Sequence, residues 1–384
     1  MKVLLLLVSL AVGLCFGNQV RSKRQALSDA LRWPNNTMNY YYEDGFPLEM
    51  QAMFRDAFNY LKSHTCLNFV NNKDAENAVY IRNRVSCWSA LGMRSGEHQE
   101  LSLDYPCAHF GVALHETMHA LGIAHGQART DRDKYLIVEA EDHNDYINED
   151  TTLSVPFDYG SVMLYWRTER RFPKDPEYNY TMGSLRVGFY DMILLNEYYG
   201  CNCEKHPVKL DCKNGGYQNP ANCDECTCTD GFKGQTCDEL DGHILSASTE
   251  WRPLYYGGPY SKTLEKSMAP KNVFFHVTVS TDYLQEVLSK KTLFQAPEGS
   301  TIEVRTTRLE GFFCHFTCDW NGVELKYLTD RRMTSPLTCC DDDNLWNKTR
   351  SSTNNPFVIV KYGEDKGPRF QFEYRYLPGN LTSS

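Results

Sequence analysis

The chain has 384 residues, 41% hydrophobic and 23% charged, with 40 basic and 49 acidic side chains and a formal net charge of −9. That composition fits a globular protein of two or three domains, at about 100–200 residues each, and excludes global disorder. The acidic balance excludes a nucleic-acid binder, which needs a basic footprint to neutralise phosphates.

Met1-Lys2 leads into an apolar run from Val3 to Leu14, interrupted by Ser9, and then Cys15-Phe16-Gly17. A positive start, a short apolar stretch and a small exit residue predict a secretory signal peptide over 1–17. The run falls short of the about 20 apolar residues that span a bilayer. Its removal takes Cys15 from the fifteen cysteines and leaves fourteen, an even number suited to an oxidising compartment. No later segment reaches membrane-spanning length, so the expectation is a secreted, extracellular protein. Arg21-Ser22-Lys23-Arg24 suits the acidic cleft of a proprotein convertase. Cleavage after Arg24 leaves 18–24 as a short propeptide, and loss of the four basic residues before Gln25 moves the charge from −9 to −13. Sequons at Asn35, Asn179, Asn347 and Asn380 agree with a secreted glycoprotein.

From Pro47 to Leu61, apolar residues at Leu48, Met50, Met53, Phe54, Ala57, Phe58 and Leu61 predict a helix with one apolar face. The strongest chemical signal is His115-Glu116-Thr117-Met118-His119-Ala120-Leu121-Gly122-Ile123-Ala124-His125. On a helix His115 and His119 lie one turn apart on one face, so both imidazoles reach one ion. Gly122 permits a positive φ that ends the helix and brings His125 round as third ligand. Three nitrogen ligands and an open position describe one catalytic Zn2+; a structural zinc would be closed, usually by thiolates. Glu116, beside the ligands, is placed to take a proton from a zinc-bound water. At average residue usage the extended pattern arises by chance with odds of order 10⁻⁵.

This extended motif is the metzincin signature, and Ser161-Val162-Met163-Leu164-Tyr165 resembles the Met-turn of the astacin family of zinc metalloendopeptidases. Arg129 to Tyr135 and the stretch around Cys66 resemble the family too, so the likeness covers about 26–201. It implies an α+β catalytic domain over 25–201 built around an active-site helix. It further implies Met163 as a hydrophobic floor, Tyr165 as a fifth metal ligand and oxyanion donor, and bridges Cys66–Cys201 and Cys87–Cys107. Arg186 resembles an arginine that in some astacins selects acidic residues just past the scissile bond. Three positions depart from the family. Gly126 stands where a glutamate normally tethers the mature amino terminus. The stretch 18–24 lacks the aspartate that silences many zymogens, so cleavage at Arg24 reads as maturation rather than activation. Leu164 stands where histidine is frequent.

Cys203, Cys212, Cys223, Cys226, Cys228 and Cys237, with Asn214-Gly215-Gly216, resemble an EGF-like module over 202–238. So small a unit needs its bridges, and the family pattern implies Cys203–Cys223, Cys212–Cys226 and Cys228–Cys237. A zinc ribbon is the rival for that cysteine count, and the oxidising compartment argues against it. Residues 242–378 hold short β-branched and aromatic runs between turn residues, which predict a β-sandwich. The segments 272–279, 295–304, 322–325, 357–362 and 370–376 are its strands, and the whole resembles a CUB-like domain. Adjacent Cys339 and Cys340 are expected to pair with Cys314 and Cys318, in an order left open, because a bridge between neighbours is strained. Asp319 and Asp341 to Asp343 read as solvated turns rather than calcium ligands. The expected partners are extracellular protein substrates, matrix or cuticle components among them. The rival function is a secreted binding protein that keeps the fold without efficient turnover; the intact ligands and base argue against it.

Overall fold

The computed structural model describes residues 32–139, 145–147, 154–256, 290–310, 316–319, 321–340, 348–363 and 369–379. The leader, the Arg24 cluster, Asn347, Asn380, Cys314, the expected strand over 272–279 and Asp341 to Asp343 lie outside them.

The first unit is a mixed sheet backed by three helices. Strands β1 (Thr37–Tyr42), β2 (Asn68–Asn71), β3 (Ala78–Arg82), β4 (Trp88–Ser89) and β5 (His98–Ser102) align in the order β2-β1-β3-β5-β4. All neighbours are parallel except β4, which runs antiparallel to β5 at the edge. Helix α1 (Leu48–His64) extends three residues past the expected end and buries Met50, Phe54, Ala57, Phe58 and Leu61, the three- and four-residue spacing of one helix face. Glu49 in its first turn and Lys62 in its last complement the helix dipole. Helix α2 (Phe110–Ala120) is buried almost all round, because α1 and the sheet cover one side and α3 (Phe189–Tyr199) another. Met38 and Ile81 from the sheet, Phe54 from α1, Met118 from α2 and Tyr198 from α3 share one core. A short ladder, β6 (Leu136–Val138) with β7 (Arg171–Pro173), flanks it. Disulfides join Cys66 to Cys201 and Cys87 to Cys107, the first tying the end of α1 to the chain leaving α3.

Next comes a cysteine-rich segment with two short ladders, β8 (Tyr217–Gln218) with β9 (Cys226–Thr227) and β10 (Phe232–Lys233) with β11 (Glu239–Leu240). Its buried core is only Cys226, Phe232 and Cys237, so bridges Cys203–Cys223, Cys212–Cys226 and Cys228–Cys237 supply the constraint that packing does not.

The last unit stacks two sheets. One contains β12 (His243–Ser246), β14 (Lys290–Gln295), β16 (Asn321–Lys326), β17 (Leu337–Thr338) and β19 (Phe357–Gly363), in the order β12-β14-β19-β16-β17. The other contains β13 (Arg252–Tyr256), β15 (Thr301–Glu310), β18 (Thr349–Ser352) and β20 (Arg369–Leu377), in the order β13-β20-β15-β18. Phe294, Phe357 and Ile359 of the first meet Ile302, Phe370 and Phe372 of the second in one core. The run 295–304 is not one strand: Pro297 and a left-handed Gly299 (φ +76°) turn the chain from the first sheet to the second. β19 is buried on both faces, since Val358 and Val360 on its outer side pack with Leu240 of the cysteine-rich segment. Cys318 bridges Cys339, and Cys340 is also disulfide-bonded.

Phe54 is fully buried among aromatic neighbours Tyr42, Phe46 and Phe58. Phe54→Ala is expected to lower stability by about 3–5 kcal/mol, read as a lower denaturation midpoint of the first unit followed by near-ultraviolet circular dichroism.

Candidate metal centre

The site begins with how α2 ends. After Ala120 the chain turns through Gly122 (φ +95°), with Gly122 N donating to His119 O (2.8 Å) and Ile123 N to Met118 O (3.0 Å). This pair of bonds is a Schellman motif with glycine at its left-handed position. A Cβ there would sit 2.8 Å from the Tyr198 hydroxyl of α3, so packing demands glycine as firmly as backbone conformation does. Two more carbonyls at this helix end are capped from outside: Trp33 Nε1 donates to Ala120 O and the Tyr199 hydroxyl to Leu121 O.

The turn delivers His125 to the other two histidines. His125 Nε2 lies 3.2 Å from His115 Nε2 and 2.8 Å from His119 Nε2, and the ligand atoms of all three fall within 4.8 Å of one another. A tetrahedral zinc with bonds of about 2.0–2.1 Å places nitrogens about 3.3 Å apart, so this donor set fits that ion. The rings are aimed by backbone. His115 Nδ1 donates to Val162 O (2.7 Å) and His119 Nδ1 to Ile123 O (2.8 Å), which leaves each Nε2 as the free lone pair. Burial pushes His115 down to about 4 and His119 to about 3, holding both imidazoles neutral, the form that binds metal.

Glu116 is buried beside them and its Oε2 has no hydrogen-bond partner among the described residues. Desolvation pushes its carboxyl up to about 8, so it takes up a proton readily near neutrality. The Tyr165 ring packs against His125 at a centroid distance of 4.2 Å and lies 6.0 Å from His115.

The second acceptor carbonyl, Val162 O, belongs to a buried turn held by residues that no motif announces. Asp191 accepts from Ser161 Oγ (2.6 Å), Val162 N (2.9 Å) and Gly188 N (2.8 Å), and burial still pushes it up to about 7. Met163, next in the turn, is fully buried, and its carbonyl accepts from Gly126 N (2.8 Å). The two departures Gly126 and Leu164 touch: a Cβ at 126 would meet Leu164 Cδ1 at 3.2 Å and its Cβ at 3.3 Å. A side chain at 126 therefore needs Leu164 to give by a few tenths of an ångström.

A family model described as astacin, a peptidase family, matches residues 25–200. Over 368 residues the chain is 60% identical to zinc metalloproteinase nas-20 of Caenorhabditis elegans, covering 95% of this chain and 92% of that protein. The chain belongs to the astacin family. Zinc metalloproteinase nas-17 of the same nematode is 36% identical over 96% of this chain and 84% of its own length. Among solved structures, the hatching enzyme zinc-protease HCE-1 of the medaka Oryzias latipes aligns with 47% of this chain and all of its own, at 26% identity and a TM-score of 0.42. This astacin is accordingly a zinc metalloendopeptidase, and it carries a three-histidine group that could hold a metal ion.

Arg186 pairs with Glu324 (3.4 Å) and stacks over the Tyr362 ring (4.4 Å), both on the C-terminal unit. It lines a cavity of about 470 Å³ together with Asp230, Lys291, Glu324 and Lys326, and none of the three histidines or Glu116 lines that cavity. The physical reason is charge balance, because the acidic Glu324 is itself almost wholly buried and needs cationic partners. Asp319 likewise accepts from Leu185 N rather than lying in a solvated turn. Asn35 is exposed, while Asn179 is half-buried.

The raised Glu116 pKa carries a stability consequence for the metal-free protein. Between about 4.5 and 8 the folded state holds a proton the unfolded state has lost, so stability falls as pH rises through that window. Glu116→Gln removes that loss. Metal-free Glu116→Gln should therefore melt above the metal-free parent at pH 8, with the gap closing as pH falls toward 4.5, measured by thermal denaturation in chelator.

Proposed function

We propose that this chain is a secreted zinc endopeptidase that cleaves peptide bonds in extracellular proteins, matrix or cuticle components among them, with Glu116 as proton carrier. The observation that supports it is the convergence of three imidazole nitrogens beside a buried carboxylate oxygen that has no partner among the described residues. Zinc, when bound by His115, His119 and His125, polarises the scissile carbonyl and makes water more acidic. Glu116 accepts the proton of the attacking water at Oε2 and later passes it to the leaving amine. Tyr165, packed against the His125 ring, would complete the ligand set at rest and would donate a hydrogen bond from its hydroxyl to the oxyanion during turnover. Met163 closes the floor of the site.

Residues 1–17 act as signal peptide and a convertase trims after Arg24. No helix among the described residues is long and apolar enough to cross a membrane. Residues 202–238 form an EGF-like module, supported by the three bridges and two small ladders, and 242–378 a CUB-like module, supported by the two-sheet sandwich. Four sequons carry glycans in this reading.

The test is cleavage of a denatured protein by purified full-length enzyme. Glu116→Gln should reduce kcat by about 10²–10⁴-fold, and a zinc chelator should abolish activity that added zinc restores. Turnover that persists through either treatment overturns the mechanism. Tyr165→Phe keeps the ring on His125 and removes only the hydroxyl; kcat should fall by about 10²–10³-fold with KM little changed.

A further inference from the structure

The C-terminal sandwich reaches the turn that aims His115. Thr334 donates from both its backbone N (3.3 Å) and Oγ1 (3.1 Å) to the carboxylate of Asp158 in the catalytic unit. Asp158 is buried, and desolvation raises its pKa against the bonds from Gly160 and Thr334. The same carboxylate accepts from Gly160 N (2.9 Å), and the Asp158 carbonyl accepts from Ser161 N (3.2 Å). At Gly160 the approach is closer than any other residue permits: a Cβ would lie 2.3–2.5 Å from the Thr334 side chain. Two residues further on is Val162, whose carbonyl takes the His115 Nδ1 proton.

The two ends of the same C-terminal segment also contact the catalytic unit. Asp330 accepts the Tyr190 hydroxyl, and Tyr190 precedes Asp191, the residue that holds Ser161 and Val162. Leu337 N donates to Thr181 Oγ1 (2.9 Å). The segment 330–337 thus contacts the catalytic unit at Tyr190, Asp158, Gly160 and Thr181, and three of these lie within or next to the structure that positions the ligand carbonyl.

We infer that Thr334, acting through Asp158, is a positioning residue for the metal centre, so that the C-terminal unit is a working part of the catalytic architecture rather than a tethered accessory. The inference rests on the reading of His115 as a ligand. The chemistry is second-hand orientation: a carbonyl that fixes an imidazole tautomer and direction influences metal retention and turnover, and the residue that fixes the carbonyl's turn influences both at one remove. Asp191 anchors the turn at Ser161 and Val162, and Asp158 with Thr334 anchors it at 158–160, so removal of either leaves one end free to move.

The experiment compares full-length Thr334→Val, Thr334→Ser and Lys348→Ala with the parent. Lys348 also bridges the two units, through Glu177 (3.0 Å), but touches nothing of the turn. Three quantities are read: kcat and KM on a peptide substrate, the rate of zinc loss to a chelator, and hydrogen exchange of amides 158–164 in the metal-free protein. For Thr334→Val the expected result is a kcat lower by about 3- to 10-fold with KM within twofold, zinc loss faster by a similar factor, and faster exchange confined to the turn. Thr334→Ser, which keeps Oγ1, should stay within twofold of the parent, and Lys348→Ala should match it throughout. Parental kcat, zinc retention and exchange in Thr334→Val overturn the inference. So does an equal loss in Lys348→Ala, which would mean that any loosening of the interface suffices. Glu116→Gln runs in parallel. Turnover surviving that change sinks the reading of the site, while the metal-free exchange still decides whether Thr334 holds the turn.

Discussion

Three imidazoles must meet at one point while uncharged, and almost everything in the catalytic unit serves that condition. Histidines crowded this closely would repel if protonated, and each must also turn its Nε2 inward. For His115 and His119 both demands are met by burial and by two backbone carbonyls, Val162 O and Ile123 O, which accept from Nδ1. Each carbonyl sits in a tight turn. One is the Schellman turn at Gly122, braced by Tyr198 and Tyr199 of α3. The other is the turn from Asp158 to Leu164, clamped by Asp191, also of α3, and by the Asp158 carboxylate. A single helix therefore supports both turns, which explains why α3 is so thoroughly buried despite carrying Asp191 and Asn196.

Three buried carboxylates around this centre show how differently one chemical group can be used. Asp191 is saturated by hydrogen-bond donors and Asp158 is shared between two units, so both are structural despite their raised proton affinity. Glu116 is raised by the same desolvation but keeps an oxygen without a partner. Burial without satisfaction destabilises a fold, and proteins tolerate such groups chiefly where chemistry requires them. The contrast separates the proposed proton carrier from its neighbours more cleanly than proton affinity alone.

What the chain reveals by inspection is local. The α1 face, the one-turn spacing of His115 and His119 and the glycine that bends the chain toward His125 all follow from short-range periodicity and backbone freedom. So does the need for bridges between 203 and 237. The carbonyl acceptors were illegible because a backbone oxygen leaves no mark in the sequence. Asp191 was illegible because a lone aspartate in an apolar helix has no motif, only a burial that emerges on folding. The partners of Arg186 are illegible for the complementary reason: a cation acquires its surroundings from whatever covers it, here Glu324 and Tyr362, more than 130 residues away. Similarly, 295–304 read as one strand because its alternation persists across a turn that changes sheets.

Asp158 and Thr334 are separated by 176 positions in the chain. Contacts that distant close late, since the intervening loop must first be ordered. During synthesis the histidine-bearing helix and the sheet emerge long before residues 330–337, so the catalytic unit passes through a stage in which Gly160 faces solvent and its turn is held from one side only. The bare Cα of Gly160 is what permits the late arrival to seat without displacing backbone. The order in which this chain leaves the ribosome is thus also the order in which its active site becomes rigid, with the final grip supplied by the last unit to be made.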